Sequence, residues 1–467
     1  MSMMQDQSPH DQSRRAFLKR SALFGLAGTA TPFVSSLAAI GEAAAATASD
    51  YKALVCVFLY GGNDYANTLV PYDETSFAAY RAARANIGYQ RDALAGSVLN
   101  PAVALPGGRV YALSPSMPEM SQLFAAGKMA VALNVGTLVE PTTKTQYNNR
   151  TVRLPPKLFS HNDQQSFFQA SSPEGATSGW GGRIGDVFQN GNGAAALTCI
   201  NTSGNAVYLT GRTAIQYAVG TGGPVALLNN SRTLYGSSSA LDTLRSLMTT
   251  ETSFAMASEH ARISKRAFDV QAQLSGALAG APASNFPLFP SNNPLADQLK
   301  MVARMIAVNQ TLGLKRQVFF VSMGGFDLHD NLVAQHPGLL ARISSAMKAF
   351  YDTTAAMGVA NQVTSFTASD FGRTLQSNDD GSDHGWGGMH FIVGGAVKGQ
   401  RFYGKAPTVG TNTNDDVGQG RLIPTMSVDQ YAATLASWFG IDSGGLRTVL
   451  PNIGNYDSAT WNQGFMG

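Results

Sequence analysis

The sequence predicts an α/β fold: a mainly parallel central sheet with helices on both faces, plus an inserted cap region. Near-continuous apolar runs at 53–60, 129–135, 317–322 and 363–368 have the pattern of strands buried on both faces. Segments with apolar residues at helical spacing lie between them, the alternation of a parallel α/β sheet. Three of the runs also end in a turn that delivers an acid: Asp64 after Gly61-Gly62-Asn63, Asp327 after Gly324-Gly325-Phe326, and Asp370 after Ser369. In open α/β sheets ligands bind beyond the carboxyl ends of the strands. Fold and candidate site are therefore read from the same places.

In chain order, residues 1–46 read as an export signal. Ser13-Arg14-Arg15-Ala16-Phe17-Leu18-Lys19 is a twin-arginine signature, an apolar run at 22–40 follows, and Ala43-Ala44-Ala45-Ala46 suits a signal peptidase. A spanning helix needs about 20 predominantly apolar residues, and Gly25, Gly28, Thr31 and Pro32 interrupt this run. The expectation is a chain that meets the twin-arginine translocase, crosses already folded, and works in the periplasm or outside the cell. Residues 47–467 are expected to form one domain.

After the first strand, a helix is expected near 76–85, a short helix at 118–126, and the second strand at 129–135. A long polar loop leads to Ser160-His161-Asn162-Asp163, where Ser160 is set to cap a helix and Asp163 to complete a capping box. Gly179-Trp180-Gly181-Gly182 opens the next helix. The stretch 191–294 differs in character and reads as an insertion or lid. Short strands are expected at 207–209 and 225–228, then one long helix over 240–278. Asn293-Pro294 caps a helix running to 312, and Pro337 opens another that closes at Gly358. Ser427 and Gln430 form a capping box for a last helix, closed by Gly440.

Charged residues make up only 13% of the chain, against about 25% in an average protein, so long polar uncharged loops are expected. Lys+Arg number 33 and Asp+Glu 30, a balance that leaves no basic footprint for nucleic acid and no polybasic lipid patch. The two cysteines, Cys56 and Cys199, are too few for a thiolate-rich zinc site. An oxidising compartment would allow them to pair, but their spacing does not require it. Any metal must be held by His and Asp.

Three acids converging at adjacent strand ends repel one another unless a positive charge lies between them, and a divalent cation is one such charge. The chain has seven histidines, and four of them (His161, His329, His384 and His390) fall in or beside the loops at these strand ends. Asp383 precedes His384 on the polar loop after the fourth strand. Mixed Asp/His ligation without thiolate suits zinc, manganese or iron better than calcium or magnesium. The candidate ligands are Asp64, Asp327, His329, Asp370, Asp383, His384 and His390. Singly, each has a plainer reading as a turn cap, a solvated loop residue or a hydrogen-bonded core histidine. Ser160 is either a plain N-cap or a nucleophile whose attacked oxyanion would meet helix N–H groups. Beside it, His161 joins the catalytic candidates. Arg373 either neutralises an anionic substrate or is a surface arginine. Asp370-Phe371-Gly372 spells a kinase signature, but no Gly-rich loop, strand lysine or catalytic-loop motif accompanies it.

The set GGND (Gly61 to Asp64), SH with DxQ (Ser160 to Gln165), GGFDLHDN (Gly324 to Asn331), SDFGRT (Ser369 to Thr374), DHGWGG (Asp383 to Gly388), GGAVKGQRFYG (Gly394 to Gly404) and SVDQYAATLASWFG resembles one family. It is the domain-of-unknown-function family 1501 of twin-arginine-exported bacterial proteins, and the resemblance spans essentially all of the chain after the signal. That family is grouped with the alkaline-phosphatase-like superfamily of phosphatases, sulfatases and phosphomutases. The kinship implies an alkaline-phosphatase-like fold. It makes Asp64 a first-strand metal ligand, Asp327 and His329 a ligand pair of unusually short spacing, and Ser160 the nucleophile. Asp370 takes the place of the Asp in an Asp-His pair, with Phe371 where the His is expected. Asp383, His384 or His390 then makes up the loss, or the site holds one metal instead of two. The expected function is an exported hydrolase of phosphate or sulfate esters, using one or two divalent ions, zinc or manganese, on an anionic ester substrate. The alternative is a non-catalytic binding or assembly protein with a partner in the cell envelope.

Overall fold

Strand β1 (Lys52–Leu59) occupies the middle of the sheet and is buried along nearly its whole length. Its side chains alternate between two separate cores, as strand geometry requires. Val55, Val57 and Leu59 enter one, and Leu54, Cys56 and Phe58 the other. The computed structural model describes residues 51–228 and 233–467, so the export signal read at 1–46 lies outside the described residues.

The remaining strands are β2 (Leu69–Pro71), β3 (Tyr111–Leu113), β4 (Met129–Gly136), β5 (Cys199–Asn201), β6 (Tyr217–Gly220), β7 (Gly223–Pro224) and β8 (Arg316–Met323). Then come β9 (Val363–Ser369), β10 (Arg373–Ser377), β11 (Ser382–His384), β12 (Gly388–Gly394), β13 (Arg401–Tyr403) and β14 (Met426–Ser427). The main sheet runs β13-β4-β12-β9-β1-β8-β5-β6-β7, with β14 beside β4. β1 is parallel to both β8 and β9, and Leu59 is in register with Met323 and with Ser369. The three acid-bearing turns therefore leave the sheet side by side. β12 is antiparallel to both its neighbours, β9 and β4.

The helices that matter are α1 (Tyr65–Thr68), α2 (Glu74–Ala83), α3 (Pro118–Ala125), α4 (His161–Ala170), α5 (Trp180–Phe188), α6 (Ser238–Thr249), α7 (Ala255–Ala279), α8 (Pro294–Ala307), α9 (Leu332–Ala356) and α10 (Val428–Phe439). On one face α3, α8 and α9 bury Leu123, Leu299, Ile306 and Phe350. On the other, α5 and α10 bury Trp180, Ile184, Tyr431 and Leu435. Each such side chain contributes about 1.5–3 kcal/mol over its exposed state. Helices thus cover both faces, as the apolar runs predict. Among the described residues, no helix is long and apolar enough to cross a membrane.

Several local expectations change. The helix expected over 240–278 is two, α6 and α7, separated by Thr250 to Phe254, four of them polar. Residues 207–209 form a 3-10 turn, held against α5 because Gly179 and Gly182 leave no room for side chains there. No strand forms at 225–228. The stretch 191–294 also reaches into the main sheet through β5, which pairs with β8. Helix α9 starts at Leu332, with Pro337 inside it. The capping box of Ser427 and Gln430 forms, and so does the Asn293 cap of α8. At α4, Ser160 takes the N-cap position without capping, because its hydroxyl donates to Asp163 at 3.0 Å instead. Cys56 and Cys199 are buried and free.

Candidate metal and acid-base site

Glycine geometry brings the strand ends together. Gly61 has φ +113, and a methyl group there would run into the backbone nitrogen of Asp327. Gly62, at φ +80, leaves no space for a side chain against the ring of Phe371. Only residues without a Cβ let the β1 turn lie this close to the other two.

Asp327 is the centre of the group. Its Oδ1 accepts from Arg373 Nη1 at 2.6 Å and lies 3.1 Å from His329 Nε2 and 3.3 Å from His384 Nε2. Its Oδ2 is 3.3 Å from His161 Nε2. All three imidazoles thus turn Nε2 towards one carboxylate. Each has its Nδ1 tied to an oxygen. That of His161 is 2.6 Å from Asp370 Oδ2, that of His329 3.1 Å from Asp383 Oδ1, and that of His384 2.7 Å from the Phe159 carbonyl. An ionised carboxylate or a carbonyl only accepts, so each Nδ1 carries the proton, and a neutral ring offers a lone pair at Nε2. This is how metal-ligating histidines are held in place. His161 Nε2 is buried without a hydrogen-bond partner. Ligand atoms of His161, Asp327 and His384 all lie within 4.8 Å of one another, donor types that suit a zinc or manganese ion, and His329 Nε2 adjoins this trio, 3.0 Å from His384 Nε2.

The surrounding charges push these groups apart. The hydrogen bond to Asp370 raises the His161 pKa above its ordinary value, against the effect of burial. Burial lowers that of His384, against the hydrogen bond to Phe159. Burial would raise the Asp327 pKa, but the Arg373 hydrogen bond and charge lower it overall. The two neighbouring imidazoles are thus shifted in opposite directions. Phe371 packs against both, with ring centroids 4.9 Å from each.

Not every candidate joins this group. Asp64 leaves the strand end beside Asp327 but turns into the protein. There both its oxygens accept from Arg84, at 2.8 and 2.7 Å, and Ser382 Oγ adds a third bond at 2.6 Å. Burial works against its charge, yet Arg84 wins and holds its pKa at about 2. The positive charge that the converging acids require is, at Asp64, a guanidinium. His390 sits mid-strand on β12, against Phe168 and Tyr431, and burial drives its pKa to about 3. It is a neutral core residue. Arg373 is fully buried, donating to Asp327, the Gly61 carbonyl and the Ser382 carbonyl, so it orients the site from beneath and does not face a substrate. Ser160 Oγ is engaged by Asp163. Asp370 and Asp383 stand behind the histidines as their partners. Asp370 Oδ2 also accepts from Gln165 Nε2 at 2.8 Å and Gly61 N at 3.1 Å, while its Oδ1 is buried without a partner.

Two residues escape the sequence reading. Gln165 lies four residues after His161 on α4, so helical spacing puts both on one face; that signal was available. Arg84 follows α2 on the face of the buried Ser76 and Tyr80, but its sequence position gives no sign of which acid it meets.

A family model described as a protein of unknown function, DUF1501, matches residues 51–446. No curated protein matches the chain. Two solved structures are similar at low identity. One concerns the metabolism of multiple glycosaminoglycans by Bacteroides thetaiotaomicron, through a versatile core genetic locus. It is 10% identical over 84% of this chain and 73% of its own, with a TM-score of 0.32. The other, Ps i-CgsB in complex with k-i-k-neocarrahexaose, is 9% identical over 88% and 77%, with a TM-score of 0.30. At that level neither bears on what this chain does.

Proposed function

Because the chain belongs to the DUF1501 family, whose function is unknown, we propose from its own side chains that it is an exported, metal-dependent hydrolase of phosphate or sulfate esters. One observation supports this most: three imidazoles, each with Nδ1 tied to an oxygen, turn Nε2 onto Asp327. His161, Asp327, His329 and His384 would hold one divalent ion, zinc or manganese. When bound, such an ion polarises an ester oxygen and acidifies water. The chain's residues do the rest. Arg373 fixes Asp327 from below, and Asp370 with Gln165 fixes the ring of His161. The Phe159 carbonyl keeps the proton of His384 on Nδ1. Phe371 packs against the rings of both His161 and His384. The twin-arginine signature supports export in the folded state, with the metal loaded beforehand.

The test is metal analysis of the exported protein, followed by activity on aryl phosphates and aryl sulfates with added zinc or manganese. Wild type is expected to carry metal and turn over at least one ester class. Asp327→Ala is expected to lose both properties. Protein that arrives metal-free and takes up neither ion would sink the proposal. Metal binding without turnover would favour the non-catalytic envelope protein. Mass spectrometry of the mature N-terminus checks the export signal.

A further inference from the structure

Arg373 is engaged inside the protein, so a cation for an anionic group other than the ester itself must come from elsewhere. The loop before α4 supplies one. Tyr147, Asn148, Arg150, Leu154, Pro155 and Leu158 line an open cleft of about 350 Å³, the size range of small-molecule sites. Leu154, Pro155 and Leu158 give it an apolar wall, and Tyr147 an aromatic one. Arg150 is exposed, and its guanidinium has no hydrogen-bond or ion-pair partner among the described residues.

The cleft is built onto the site. Leu158, in its wall, precedes Phe159, whose carbonyl fixes His384. Lys157 and Phe159, on either side, have φ +46 and +72, left-handed values that non-glycine residues adopt rarely and often at functional sites. Arg421 lies over the Phe159 ring and donates from Nε to the His384 carbonyl at 2.8 Å. On the other side Tyr147 packs on Trp386, with ring centroids 5.9 Å apart, two residues from His384. The cleft wall thus reaches His384 through the residue after Leu158, and reaches the same loop two residues on through Tyr147.

We infer that this cleft binds the organic part of the substrate, and that Arg150 pairs with an acidic substituent on it. In naming the ligand a substrate, the inference rests on the hydrolase reading; the binding itself does not. The ligand class is a flat or aliphatic organic group carrying a carboxylate or similar anion besides the ester. The apolar wall covers the group, and the planar guanidinium takes the anion in a bidentate pair.

Binding of 2-naphthoate and of its neutral analogue 2-naphthamide to the full exported chain, by isothermal titration, tests this. Wild type is expected to bind the acid about fivefold more tightly, the range of an exposed ion pair. Arg150→Ala should bring the two affinities together, and Arg150→Lys should restore part of the difference. Equal affinities in wild type, no binding of either probe, or a preference for the acid that survives Arg150→Ala would overturn the inference. Metal content measured on the same samples separates the outcomes. Loss of the metal reading leaves this result standing, and failure here leaves metal binding untouched.

Discussion

Asp64 and Asp327 leave neighbouring strand ends, yet Arg84 closes on the first in a fully buried pair while the second is 46% exposed among three histidines. Removing one partner of a buried ion pair leaves an uncompensated charge and costs about 3–5 kcal/mol. Arg84→Ala is therefore expected to destabilise the fold by that amount, read from urea unfolding, far more than removal of an exposed arginine such as Arg262. Asp370 acts one step back from the lone-pair atoms. Asp370→Asn keeps the shape but removes the charge behind His161, and zinc affinity is expected to fall about 10- to 100-fold in a chelator competition, with unfolding little changed. Both expectations separate residues that look alike in sequence. Asp327, His329, Asp370, Asp383 and His384 were legible as one neighbourhood because strand ends and histidine placement are written in the chain. That Asp64 has another partner was not legible, since Arg84 lies 20 residues on. Nor was the burial of His390, which depends on the rings across the sheet, Phe168 and Tyr431.

Between elements, the decisive spacing is that between the β1 turn and the loop after β8. Gly61→Ala demands both an unfavourable φ and the displacement of Asp327, so a loss of more than about 2 kcal/mol is expected. Thermal unfolding measures the stability, and metal retention at a temperature where the variant is still folded measures the displacement. The strands and most helices followed from periodicity because their burial is two-sided and regular. The 191–294 stretch followed it poorly. Its helices α6 and α7 carry Leu247, Met256 and Ile263 exposed, so apolar residues there do not report an inner face. The break between the helices is closed instead by an ion pair, Arg262 to Glu251 at 2.8 Å. Pairing across a bend leaves no periodic trace.

Across the whole molecule, acid should act through buried imidazoles. Burial holds the pKa of His390 at about 3 and that of His336 at about 4, below the ordinary value of about 6.5. Above that value neither state is protonated and the full stability is present. As pH falls through it, the unfolded chain takes protons that the folded chain refuses, and stability declines until the folded pKa values are reached. Asp429 opposes this. Burial raises its pKa to about 6, so acidification through that value slightly favours the folded state until the ordinary carboxylate range is passed. Two histidines outweigh one acid. The urea midpoint is expected to drop between pH 6.5 and 4 and faster below, where the unfolded chain also protonates Asp64 while the folded Asp64, held at about 2, stays ionised. His390→Gln, which gains no proton, should flatten that slope. The reversed strand β12 has a further consequence. The chain leaves β9 at Asp370, forms the β10–β11 hairpin, and re-enters the sheet in β12 directly alongside. Both ends of that excursion are anchored on adjacent strands, and loop-closure entropy grows only by about 0.6 kcal/mol for each doubling of length. The hairpin is also bolted to the strand ends beneath it, through Arg373 on Asp327 and Ser382 on Asp64. Hairpin and strand ends therefore form one rigid piece, and a change in either shifts the other.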